Sequence, residues 1–106
     1  GTGQGEAMVA NKFKGIRCAL FYAPAAPHSA TDIDGSGVTD DPFEMLRVTR
    51  KHNDSNMLAL SGRFLQEEEA TQAVKIFLET PFTNDERHVR RIGKMKMIEE
   101  IMGTMK

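Results

Sequence analysis

Polar and apolar positions divide the chain into blocks of two different periods. Ile16-Arg17-Cys18-Ala19-Leu20-Phe21-Tyr22 is nearly continuous in apolar residues, and Asn56-Met57-Leu58-Ala59-Leu60 repeats the pattern more briefly. Short runs without alternation read as strands that bury both faces, as in a parallel sheet held between helices. Around them the period becomes helical. Gly5 to Lys14 reads as a short helix with Ala7, Met8, Ala10, Asn11 and Phe13 on neighbouring faces, stopped by Gly15. Asp41-Pro42 reads as an N-cap followed by proline at the first helical position. It opens a helix to about Lys51 with Phe43, Leu46 and Thr49 or Arg50 along one side. A third helix is expected from Glu67 to Glu79, with Ala70, Ala73, Val74, Phe77 and Leu78 as its stripe and Pro81 beyond its end. Asn84 or Asp85 caps a last helix whose stripe is Val89, Ile92, Met95, Ile98, Ile101 and Met102.

This order is an α/β alternation, for which right-handed crossovers are expected. Two strands alone do not make such a sheet, so parallel neighbours are expected from sequence upstream of Gly1 or from a partner chain. Residues 23–41 break the pattern, turning to Pro, Ala, Ser, Gly, Thr and Asp. They read as a long surface loop or insertion, a class of segment that is uncommon unless functional or mobile.

Composition narrows the field. A chain of 106 residues is one domain, able to bury roughly 65% of its unfolded surface. With 14 Lys+Arg against 15 Asp+Glu, the net charge of -1 gives no global field toward nucleic acid or an anionic membrane. Any basic site must be local. The single cysteine, Cys18, excludes an internal disulfide framework and a multi-cysteine metal site, and fits a reducing cytoplasm. No apolar run approaches the ~20 residues of a membrane-spanning helix. The chain also begins inside a functional-looking turn without an initiator methionine, so further upstream sequence is expected.

That turn, Gly1-Thr2-Gly3-Gln4-Gly5-Glu6, is the first candidate for chemistry. A glycine-spaced turn running into a helix bares backbone N–H groups where negative charge is favoured. The same run also fits a linker. Glu6 is a candidate base and equally a carboxylate that complements a helix start. His52 follows a helix and precedes a strand, a place that suits a helix C-terminal cation or a turn residue as well as an acid–base group. Asn53-Asp54 is also compatible with a plain turn. Arg87, His88 and Arg91 lie within one helical turn of one another, so Arg87 and Arg91 share a face and can converge on one phosphate, or form a solvated basic face.

Two patterns are set aside. Asp32-x-Asp34-Gly35-Ser36-Gly37 imitates the start of a calcium-binding loop, but its twelfth position is Phe43, where a bidentate glutamate is needed. The methionines Met95, Met97, Met102 and Met105 read as adaptable core or dimer packing. His28, in the insertion, is expected to be exposed.

Gly1-Thr2-Gly3-x-Gly5, Ala10-Asn11-Lys12-x-x-Gly15-Ile16-Arg17, His52-Asn53-Asp54-x-Asn56, Leu60-x-Gly62-Arg63 and Arg87-His88-x-x-Arg91 occur in one order at sensible spacings. Together they resemble the ribose-5-phosphate isomerase B family, which includes the galactose-6-phosphate isomerase subunits. The resemblance covers most of the chain outside 23–41 and corresponds to the C-terminal two thirds of such an enzyme. It implies a Rossmann-like three-layer α/β/α sandwich with a parallel sheet, whose N-terminal strands would lie before Gly1. Residues 1–106 would then be the C-terminal part of a single sugar-phosphate isomerase domain.

The resemblance also implies aldose–ketose isomerisation of a phosphorylated sugar through an enediolate, with neither metal nor nucleotide cofactor. Active sites would be shared between subunits of a homodimer or tetramer. The base would be Glu6, directly after the turn, or a cysteine directly before it, which would precede Gly1; Cys18 stands elsewhere. His52 would open the sugar ring and Asn53 would donate to the enediolate. Gly1, Thr2, Gly3 and Gly5 would hold the oxyanion, and Arg63, Arg87, His88 and Arg91 the substrate and its phosphate. The 23–41 segment departs from the short connection usual in the family. It leaves ribose 5-phosphate, a tetrulose, allose or galactose phosphate, and a non-catalytic phosphosugar-binding domain open as readings.

Overall fold

The computed structural model describes residues 1–104. Its elements are α1 (Gln4–Ala10), β1 (Cys18–Phe21), α2 (Glu44–Asn53), β2 (Met57–Leu60), α3 (Glu67–Glu79) and α4 (Glu86–Thr104). The strands pair in parallel, with Cys18 opposite Met57 and Phe21 opposite Leu60. In a parallel pair opposed residues share a face, so the period of two sorts the sheet. Ala19, Phe21, Leu58 and Leu60 point one way, and Cys18, Leu20, Met57 and Ala59 the other.

The first face carries the core. Phe21 is buried with Phe43 and Leu46 from the start of α2 and with Ala73 and Ile76 of α3, and Leu58, Leu60 and Leu65 pack around them. The Phe21 and Phe43 rings stack with centroids 5.6 Å apart. The second face is crossed by α1, so helices lie on both sides and the fold is Rossmann-like α/β/α. No helix among the described residues is long and apolar enough to cross a membrane.

Several boundaries differ from those read in the sequence, each for a local reason. α1 stops at Ala10 because the next residue leaves the helix to serve β1. The Asn11 amide accepts a hydrogen bond from the Cys18 N–H (2.7 Å) and donates to the Cys18 carbonyl (3.0 Å). This closes part of β1's outer edge, which a neighbouring strand was expected to do. α1 also buries none of its residues, and Met8, Val9 and Phe13 are exposed. Asp41 caps as expected, accepting from the Phe43 N–H at 2.9 Å, but the intervening turn delays regular helix to Glu44. That bond, chiefly, with the Arg47 guanidinium beside it, holds the Asp41 carboxyl below its usual range despite partial desolvation.

α3 has the predicted bounds, and the Glu69 carboxylate accepts the Gln66 N–H at its start. Its inward stripe is rotated, however. Ile76 is buried, whereas Val74 and Leu78, expected inside, are exposed. Asp85, rather than Asn84, caps α4, accepting the Arg87 N–H at 3.1 Å. Of the expected α4 stripe only Ile92 is buried, and Val89, Met95, Ile98, Ile101 and Met102 face outward. Those methionines therefore do not form core, and Met105 lies outside the described residues. The radius of gyration of 14.7 Å exceeds the roughly 13 Å of a compact domain this long.

Glycine is required at Gly3. Its φ is +83°, and a Cβ there would stand 2.8 Å from Leu20 Cδ1 and 2.9 Å from the Leu60 carbonyl oxygen. A Cβ on Gly5 meets nothing within 4 Å. Gly3→Ala is therefore expected to cost at least about 2 kcal/mol, and Gly5→Ala to stabilise α1 by about 0.5–1 kcal/mol. Urea denaturation of the two variants checks the contrast.

Candidate functional site

The amino ends of the two strands are tied by side chains. Arg17, just before β1, donates from Nε to the Asn53 carbonyl (2.9 Å) and from Nη2 to the Asp54 carbonyl (2.8 Å), and pairs with the Asp54 carboxylate (3.3 Å). Arg50 reaches the same carboxylate at 3.0 Å and donates to the Thr80 carbonyl at 2.9 Å. Asp54 ends α2 in the left-handed conformation, φ 46°, and the two arginines hold it there. Asn56 completes the tie, accepting the Arg17 N–H (2.8 Å) and donating to the Gly15 carbonyl (2.7 Å). The end of α2, with His52 and Asn53, is fixed against the sheet in this way.

His52 and Asn53 are consecutive and face different clefts. Asn53 lines a groove with Asn11, Ile16, Thr49 and the α4 residues Ile92 and Met95. His52 lines a cleft of about 450 Å³ between the 23–41 segment, α2 and the start of α4, together with Asp32, Lys51, Asp85, Arg87 and His88. The His52 ring stacks on His88 with centroids 4.2 Å apart and 25° between planes. His52 Nε2 is 3.1 Å from Asp32 Oδ1.

His88 is buried. Burial first, then the neighbouring His52 and the Arg87 charge, push its pKa below the ordinary imidazole value, against the opposing pull of Asp85. Its tautomer follows from its partners. Arg87 Nη2 is a donor 3.5 Å from His88 Nε2, which must therefore carry the lone pair. The proton is then on Nδ1, 3.5 Å from Thr83 Oγ1, whose own hydroxyl donates to the Lys51 carbonyl at 2.9 Å. Arg87 lines the cleft, and its Nε is buried with no protein partner among the described residues.

The glycine turn is elsewhere. Gly3 packs on Leu20 and Leu60, and the Gly1 carbonyl accepts the Arg63 N–H at 3.2 Å, all at the carboxyl end of the strands. Thr2 Oγ1 accepts the Gln4 N–H at 3.3 Å. Glu6 is exposed and lines a cleft of about 310 Å³ with Gly1, Gly3, Ala10 and β2. Each strand has four residues, about 13 Å at ~3.3 Å per residue; the Glu6 cleft runs along that length to Cys18 and Met57 and shares no lining residue with the His52 cleft.

The model of the family described as Ribose/Galactose Isomerase matches residues 37–95, more than half of the chain. The chain belongs to the ribose/galactose isomerase family. The ribose-5-phosphate isomerase B of Mycobacterium leprae is 33% identical over 99 residues, 93% of this chain and 49% of that protein. Among solved structures, the Trypanosoma cruzi type B ribose 5-phosphate isomerase superposes with a TM-score of 0.76 at 31% identity, covering 96% of this chain and 54% of that one. The Mycoplasma genitalium ribose-5-phosphate isomerase B with bound ribulose-5-phosphate gives 0.73 at 32% identity, covering 94% and 53%. The chain spans about half the length of the relatives it matches, rather than the two thirds expected.

Within this family frame the site residues fall into three sets. His52, Arg87 and His88 share one cleft. The glycine turn and Arg63, with Gly1, Thr2, Gly3 and Gly5, lie at the carboxyl end of the strands, and Glu6 lines a separate cleft beside α1. Asn53 and the exposed Arg91 line neither cleft. Sequence reasoning missed Asp32 as a partner of His52, having weighed it only as a calcium ligand. Nothing local could have found it, since twenty residues separate the pair. Cys18 is half-buried with its thiol pKa raised, chiefly by burial, which opposes nucleophilic use.

A histidine whose folded pKa is depressed binds its proton more readily in the unfolded chain, so stability falls as pH drops from its unfolded value, about 6.5, toward the folded one. Urea midpoints are therefore expected to fall between about pH 7.5 and pH 5.5, and His88→Gln to flatten that dependence.

Proposed function

We propose that this chain is the C-terminal part of a sugar-phosphate aldose–ketose isomerase of the ribose 5-phosphate/ribulose 5-phosphate type. The observation that carries the reading is the cleft in which an unpartnered Arg87 Nε–H stands beside a histidine pair. Membership of the family, and relatives named ribose-5-phosphate isomerase B, support it.

The chemistry needs three operations. The ring must open, for which His52 is the acid–base group. A proton must move between C1 and C2, with Glu6 as base. The enediolate oxygen must be held, by backbone N–H groups of Gly1 to Gly5 and by Asn53. Arg87 binds the phosphate, with Arg91 and Arg63 as further cationic contacts. His88, buried and neutral, donates no charge to the anion and acts by packing against His52 and orienting Arg87.

His52 and Glu6 line separate clefts with no lining residue in common, which favours a site completed by a second copy. The proposed assembly is therefore a homodimer or tetramer in which the glycine turn of one copy faces the His52 cleft of another. The apolar residues exposed along α4 give such an assembly a surface to bury. A cytoplasmic setting belongs to the same reading.

In the full-length protein, Glu6→Gln is expected to lower solvent-deuterium exchange at the substrate C2 by ~10²–10⁴-fold with phosphosugar affinity largely kept. Arg87→Ala should instead raise KM by roughly 10- to 100-fold, the equivalent of a lost charged hydrogen bond. Undiminished exchange in Glu6→Gln, or phosphosugar binding without turnover in the unmodified protein, contradicts the proposal.

A further inference from the structure

We propose that Asp32, on the 23–41 segment, is a positioning residue that holds His52 in the tautomer and orientation needed to open the sugar ring. The proposal rests on the isomerase reading for its chemistry and on the structure for its geometry. Asp32 lies outside residues 37–95, the part of the chain matched by the family model.

Asp32 is itself held. Its carbonyl accepts the Gly35 N–H and its N–H donates to the Ser36 carbonyl, both at 3.1 Å. Its Oδ2 lies 3.3 Å from Ser36 Oγ, whose shorter contact, 2.6 Å, is to Asp34 Oδ1. The turn therefore leaves Asp32 Oδ1 directed at His52 Nε2, 3.1 Å away, while His88 covers one face of the ring. An imidazole between a carboxylate and a stacked ring loses both its choice of tautomer and its freedom to rotate. The same arrangement orients the histidine in nucleophilic triads.

A carboxylate can only accept, so the proton sits on His52 Nε2 and the lone pair on Nδ1, which makes no hydrogen bond among the described residues. In ring opening, Nδ1 takes the proton of the anomeric hydroxyl. The electron pair left on that oxygen forms the carbonyl as the bond from C1 to the ring oxygen breaks, and the ring oxygen receives the proton back from the imidazolium. Asp32 stabilises the imidazolium for the interval and is unchanged at the end.

The test uses two substrates that differ in this step alone. Ribose 5-phosphate is a furanose and must be opened. Ribulose 5-phosphate, with its C5 oxygen phosphorylated, has no furanose to open. In the full-length protein, Asp32→Ala is expected to lower kcat on ribose 5-phosphate by about 10- to 100-fold, less than the ~10²–10⁴ of a whole acid–base group. Deuterium exchange from D₂O into ribulose 5-phosphate should stay within about twofold, and Asp32→Glu should recover part of the loss. Equal losses on both substrates, or none on either, overturn the proposal.

A second readout is independent of turnover. The ¹⁵N shifts of His52, assigned by His52→Ala and recorded at alkaline pH, should report protonation at Nε2 in the unmodified protein and a mixture of tautomers in Asp32→Ala. Unchanged shifts overturn the proposal. An inactive protein with the shift change intact would overturn the isomerase reading and leave the Asp32–His52 pairing standing.

Discussion

The clamp of Arg17 and Arg50 on Asp54 is the interaction on which the rest of the molecule depends. It joins the residue before β1, the last turn of α2 and the approach to β2, and so sets both the strand register and the point at which α2 ends. Asp54 adopts φ 46°, a conformation that costs an L-residue of the order of 1–3 kcal/mol and persists only where surroundings impose it. Arg17 and Arg50 do so through partly buried charge-assisted bonds to its carbonyl and carboxylate. His52 is two residues away, and its direction into the cleft follows from this stop.

The sheet then acts as a spacer. Its carboxyl end carries the glycine turn and Arg63, α1 with Glu6 crosses one face, and its amino end carries His52 with Arg87 and His88 behind it. Short strands buttressed on one face by Phe21, Phe43, Leu46, Ala73 and Ile76 keep these two groups apart and rigid. α4, which carries Arg87 and His88, buries little of its apolar side in this chain. Exposed apolar surface on the helix that also bears the cationic site couples assembly to chemistry in the proposed oligomer, because a partner that covers α4 also approaches the cleft.

Much of this was legible in the sequence. The continuous apolar runs gave both strands, and the bounds of α3 followed from its acidic first turn and the Pro81 stop. Legibility failed where a side chain acts at long range. Asn11 reads as part of a helix face but leaves the helix for the edge of β1. Asp54 and Asn56 share a motif with His52, and the structure shows them tying Arg17 and Gly15. Words that looked chemical are thus partly structural, and the resemblance they carry records a shared fold as well as shared chemistry. The α4 stripe shows the converse, since periodicity identifies an apolar face without saying what covers it. Asp32 was hidden twice, by its distance from His52 and by its place in a segment of loop composition.

The central claim is that one working site draws on two copies of the chain, with Glu6 from one and His52 from the other. Complementation tests it most directly. Full-length Glu6→Gln and His52→Ala proteins, each inactive alone, are mixed under conditions that exchange subunits. Each mixed dimer would contain one site with both residues intact, so the account predicts recovery of about a quarter of the unmodified activity at full exchange. Exchange of subunits with no recovery would mean that Glu6 and His52 act within the same chain, and would contradict it.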